Sequence, residues 1–164
     1  MVRSGVPVKR PQFHSIAVAI LLLAGLAVRI GGAWVYRHDT SVDRCRVGIM
    51  AKHMAEGRDF PVFFYGGAYL GSFEPAVSAV FCRLLGPTGF ALNLGTALLG
   101  FLLLPVAYLW AREAAGRHAG LVAMLVCLFG PFGYFYFLAS PRGGYAATLL
   151  SMALVLWWTG RVAR

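Results

Sequence analysis

Four runs of apolar residues, each near the length needed to cross a bilayer, constrain this chain most. They cover 13–35, 90–111, 119–138 and 145–160. A helix of roughly 20 residues spans the hydrocarbon core. There only helices and closed barrels satisfy their own backbone polar groups. The apolar residues fall in blocks and not along one face of each segment. Composition agrees: 59% of residues are hydrophobic and 13% charged, where soluble domains carry roughly 45–50% and about 25%. The expected fold class is all-α: a polytopic membrane protein with about four transmembrane helices, plus amphipathic or interfacial helices on its outer face.

The first block holds Ile20-Leu21-Leu22-Leu23-Ala24 and is interrupted by Arg29. It is longer than a signal-peptide core and no small-x-small cleavage site follows, so it reads as an anchor. Arg29 is costly at mid-membrane and is expected to snorkel or to face neighbouring helices. Glu74–Leu85 is apolar but only about 12 residues long, which suits an interfacial or re-entrant helix. If it does not span, Arg3, Lys9, Arg10, Arg112, Arg117, Arg161 and Arg164 all fall on one side, as cytoplasmic flanks should. The resulting map has a cytoplasmic basic tail over 1–12 and spans over 13–35, 90–111, 119–138 and 145–160. Outer loops lie over 36–89 and 139–144.

This topology accounts for much of the net charge of +9, and no nucleic-acid partner is needed to explain it. Cys45, Cys82 and Cys127 show no metal or disulfide spacing. Cys82 and Cys127 lie in apolar segments and read as packing residues. No metal or other cofactor is expected, and His53 reads as solvated. A small transporter would carry ionisable residues within several spans; apart from Arg29 these have almost none, so transport ranks last.

Chemistry is therefore expected in the outer segment. Residues 36–74 hold five of the six acidic residues: Asp39, Asp43, Glu56, Asp59 and Glu74. Ser41 or Asp43 can cap a helix running to about Glu56, with Val47, Met50 and Met54 at helical spacing. That helix is expected to lie on the membrane. The run Asp59-Phe60-Pro61-Val62-Phe63-Phe64-Tyr65-Gly66-Gly67 suits the membrane–water interface. Pro75 marks the start of the next helix. Asp43 and Glu74 thus begin two surface helices. A carboxylate so placed can take a proton from an acceptor hydroxyl, or can serve only as a helix cap.

The run Asp43-Arg44-Cys45-Arg46-Val47-Gly48-Ile49-Met50-Ala51-Lys52-His53-Met54 resembles the start of the first outer loop of the GT-C superfamily of membrane glycosyltransferases. So does Phe63-Phe64-Tyr65-Gly66-Gly67-Ala68-Tyr69-Leu70-Gly71-Ser72-Phe73-Glu74. The nearest likeness is to a bacterial branch related to lipopolysaccharide glycosyltransferases, with the protein O-mannosyltransferases in the same superfamily. Ser140-Pro141-Arg142-Gly143-Gly144-Tyr145 is similar to that branch's second outer loop. The likeness covers most of residues 15–160 and corresponds to the N-terminal portion of such enzymes, which are around three times this length. The chain is thus expected to be a fragment, or a short relative that has lost activity.

The resemblance implies a sugar donor carried on a polyprenyl phosphate and an acceptor glycan, lipid or protein hydroxyl. It places the catalytic first-loop acid at Asp43, with Glu74 as the second candidate. Arg44 stands where many members have a further acid. Arg142 would pair with the donor phosphate, with Tyr65 and Tyr145 completing the substrate-binding set; an ordinary interfacial arginine is the plain alternative for Arg142. The implied setting is the bacterial plasma membrane, with the N-terminus cytoplasmic. The competing function is a non-catalytic membrane protein of the same fold that binds a lipid-linked sugar or a partner membrane subunit.

Overall fold

The computed structural model describes residues 11–163, apart from the side chains of Pro11, Gln12, Ala68 and Tyr69. Most of the basic tail expected over 1–12 lies outside them. The chain is mostly helical. Helix α1 (Pro11–Val35) runs into a 3-10 turn at Tyr36–His38 and is followed by α2 (Val42–Ala55). A short hairpin of β1 (Phe63–Phe64) and β2 (Gly67–Gly71) leads to α3 (Phe73–Leu85). Then come α4 (Gly89–Ala115), α5 (Arg117–Leu128), α6 (Phe132–Phe137) and α7 (Tyr145–Val162).

Among the described residues two helical segments are long and apolar enough to cross a membrane, Phe13–His38 and Gly89–Ala115. They run antiparallel. His14 meets Tyr108 at one end, and Asn93 meets Ala33 at the other. Helix α4 is the central element, packing against α1, α3, α5 and α7. Its contacts use small residues where backbones approach closely. A Cβ added at Gly95 would stand 2.5 Å from the Ser78 Cα, so only glycine admits α3 at this crossing. The Ser78 hydroxyl, buried at the same contact, donates to the Leu92 carbonyl at 2.9 Å.

Three local features depart from the sequence reading. The block 119–138 is two helices and not one, because Gly130-Pro131 interrupts it: proline has no N–H to continue the ladder and clashes with the preceding turn. The aromatic stretch after Asp59 is in part an antiparallel hairpin, with Phe64 paired to Gly67 across Tyr65-Gly66. Gly66 takes the positive φ of +74° that this tight turn needs. The apolar stripe of α2 is turned toward protein. Val47, Met50, Ala51 and Met54 form one buried cluster with Phe64, Ala79, Cys82 and Leu92. Helix α2 therefore rests on α3, and its apolar stripe is removed from solvent by that packing.

Arg29 follows the second of its two expectations. It is 0% exposed, its Nη2 donates to the Cys127 carbonyl at 3.0 Å, and its guanidinium lies 5.6–5.7 Å from the Tyr134 and Phe135 ring centres.

Candidate functional site

The polar side chains gather at the end of the bundle where α1 finishes and α4 begins. The organising residue is Arg44, only 7% exposed. It lies one turn before Val47 on the buried face of α2, so its side chain enters the junction and does not reach solvent. Its Nε donates to Asn93 Oδ1 at 3.1 Å. Its Nη2 donates to the carbonyls of Arg37 at 3.0 Å and Gly89 at 3.1 Å, and its Nη1 donates to the Asp39 carbonyl. Asn93 in turn donates to the Ala33 carbonyl at 2.9 Å. Arg44 thus satisfies carbonyls just past the end of α1, where helix geometry leaves them unpaired, and ties them to the Gly89 carbonyl at the start of α4. Burial lowers its pKa, opposed by the nearby Asp39 carboxylate.

That clamp fixes the backbone of Asp39, whose carboxylate reaches the second loop. Oδ2 accepts from Arg142 Nη2 at 2.8 Å, from the Tyr136 hydroxyl at 2.8 Å and from the Ser140 hydroxyl at 3.3 Å. Oδ1 accepts from the Ser41 amide at 3.3 Å, the short-range turn bond typical of aspartate. The Arg142 guanidinium also lies 4.2 Å from the Tyr136 ring centre. The Asp39 and Arg142 side chains are 21% and 16% exposed, so the pair is neither sealed nor free in solvent.

The other end of this loop is held by Glu74, 1% exposed. The Thr96 hydroxyl donates to its Oε1 at 2.8 Å, and the Gly144 amide donates to its Oε2. Burial pushes the Glu74 carboxyl up to about 7, against the lowering effect of these two hydrogen bonds. Residues 140–144 are therefore gripped by one carboxylate at each end.

The structure distributes the sequence candidates unevenly. Arg142 and Glu74 are joined through this short loop. Asp43 is exposed in the first turn of α2 and, among the described residues, its carboxylate makes no hydrogen bond or ion pair. Ser41 occupies the cap position without a side-chain bond. Tyr65 belongs to a separate group on the hairpin, donating to Asp59 at 2.6 Å and standing 3.1 Å from His53 Nδ1. Tyr145 is exposed and packs on Phe137 with ring centres 4.6 Å apart. Sequence reasoning passed over Asp39, Asn93, Thr96 and Tyr136. The signals were present: Asp39 is the first acid after the first apolar block, and Asn93 and Thr96 are isolated polar residues inside the second. Among the described residues no group of three or more His, Cys, Asp or Glu side chains is placed to hold a metal ion.

No family model matches the chain, and no curated protein or solved structure matches it significantly.

The buried carboxyl gives a pH-dependent stability. An ordinary glutamate titrates near 4.5 and Glu74 near 7, so the folded state holds the proton more tightly than the unfolded chain. Stability is greatest below the unfolded value and falls as the pH rises through the interval between the two. Thermal unfolding should therefore shift to lower temperature between about pH 4.5 and pH 7, and Glu74→Gln, which keeps an acceptor for Gly144, should flatten that dependence.

Proposed function

We propose that this chain is a membrane glycosyltransferase unit corresponding to the N-terminal portion of GT-C enzymes. It moves a sugar from a polyprenyl-phosphate donor to a hydroxyl of a glycan, lipid or protein acceptor. The observation that carries this reading is the 2.8 Å pair between Asp39 and Arg142, which joins the two outer loops that resemble that superfamily. In this reading α1, α4, α5 with α6, and α7 form four spans of a bacterial plasma membrane. Helices α2 and α3 and the hairpin lie on the outer face.

The pair supplies both groups the reaction requires. Arg142 presents a planar, multi-donor cation suited to a phosphate diester. Asp39 presents a carboxylate able to take a proton. When the donor phosphate engages Arg142, the Asp39 carboxylate is released toward the acceptor. The acceptor oxygen forms a bond to the anomeric carbon as its proton passes to Asp39. The bond from that carbon to the phosphate oxygen breaks, and polyprenyl phosphate leaves with the electron pair. A single displacement of this kind inverts the anomeric centre. Asp39 replaces Asp43 as the proposed base because only Asp39 is held beside Arg142. Glu74 is too enclosed to meet substrate and acts by positioning Gly144.

Loss of the base should cost about 10²–10⁴-fold in rate. With a polyprenyl-phosphate sugar and an acceptor, Asp39→Asn should remove transfer while donor binding survives, and Asp43→Asn should change transfer by no more than a few-fold. The opposite ranking would return the role to Asp43; donor binding without transfer by the unaltered chain would favour the non-catalytic binder. Sidedness has its own test. Cys45 is exposed on α2 and should react with a membrane-impermeant maleimide from outside intact cells. With Cys45 changed to serine, Ala115→Cys at the far end of α4 should not. Labelling of Ala115→Cys from outside would refute the four-span topology.

A further inference from the structure

At the opposite end of the bundle, two adjoining open clefts of about 470 and 350 Å³ lie between α1 and α5, the smaller also bordered by α4. His14 and Arg117 line the walls, His14 and Arg117 being common to both clefts, while His118 belongs to the first and Arg112 to the second. Phe13, Ala17 and Leu121 supply apolar wall to the larger cleft. Among the described residues no carboxylate lines either one. The acid that directly follows Arg112, Glu113, is engaged by Arg161 at 2.9 Å. Arg117 and His118 are exposed at the start of α5. Arg112 lies 5.8 Å from the ring centre of Tyr108, whose hydroxyl is 2.8 Å from His14 Nε2. The clefts sit where α1 begins and α4 ends, the level a bilayer headgroup occupies if these two helices cross.

We propose that this basic cleft binds the phosphate headgroup of an anionic phospholipid in the adjoining leaflet. The chemistry is that of a phosphodiester: a diffuse negative charge met by two guanidiniums, with acyl chains descending along the apolar wall. Basic pockets between membrane helices recognise anionic headgroups in this way. A merely topological role for Arg112 and Arg117 would leave them solvated on separate surfaces; here they border one concave site whose described lining holds no acid. The inference needs α1 and α4 to cross the bilayer and is independent of any transfer activity at the other end.

The test uses the full chain in nanodiscs of equal phosphatidylcholine and phosphatidylglycerol, with retained lipids identified by native mass spectrometry. The unaltered protein should retain phosphatidylglycerol over phosphatidylcholine. Arg112→Gln with Arg117→Gln should cut that preference on the order of tenfold. Arg112→Lys with Arg117→Lys keeps the charge and should preserve most of it. Lys52→Gln with Arg58→Gln makes the same charge change at the far end and should leave the preference intact. Equal retention of the two lipids by the unaltered protein would overturn the proposal. So would equal losses in the two glutamine pairs, or displacement of phosphatidylglycerol by millimolar inorganic phosphate, which would mark a soluble-anion site.

Discussion

A single buried guanidinium, that of Arg44, holds together the end of the molecule where the candidate chemistry lies. The C-terminal end of a helix leaves carbonyls without partners, and α1 ends close to where α4 begins. Arg44 reaches from α2 into that junction and donates to the Arg37, Asp39 and Gly89 carbonyls and to Asn93. No smaller side chain offers five donors in a fixed fork. Removing it would strand several buried acceptors, each costing about 1–3 kcal/mol. Gly89 is small for the same reason: a Cβ there would meet the Arg37 carbonyl and the Arg44 guanidinium.

The second loop depends on the first through this clamp. With its backbone held by Arg44, Asp39 can fix Ser140 and Arg142, while Glu74 fixes Gly144 from α3. The two acids have different environments and so different uses. Asp39 is partly exposed beside a cation and is suited to exchange partners when an anion arrives. Glu74 is enclosed, with its carboxyl raised to about 7, and is suited to hold a loop in place.

The helices were largely legible because their signal is a long apolar run, and length alone separates α4 from the short α3. Pro75 marked the first turn of α3 correctly, since a missing N–H costs nothing there. The break within 119–138 was also written in the sequence as Gly130-Pro131, but the apolar run on both sides hid it. The hairpin was missed because two short strands leave little periodicity in an aromatic segment. The site was only half legible. Arg142 and Glu74 could be singled out from charge and position, whereas Asp39 depends on which way an extended tripeptide after α1 turns. Arg44 drew notice only as a basic residue where a further acid is common, yet its spacing to Val47 places it on the buried face of α2.

The central proposal is that the Asp39–Arg142 pair, which joins the segment after α1 to the one before α7, separates when a lipid phosphate binds. The direct measurement is a double-mutant cycle on thermal unfolding in bilayers, with Asp39→Asn, Arg142→Gln and both together, without and with a polyprenyl phosphate. A coupling of about 0.5–3 kcal/mol is expected for residues in direct contact, and it should shrink when the lipid phosphate is present. Additive single changes in the lipid-free protein, with no coupling between them, would contradict the account.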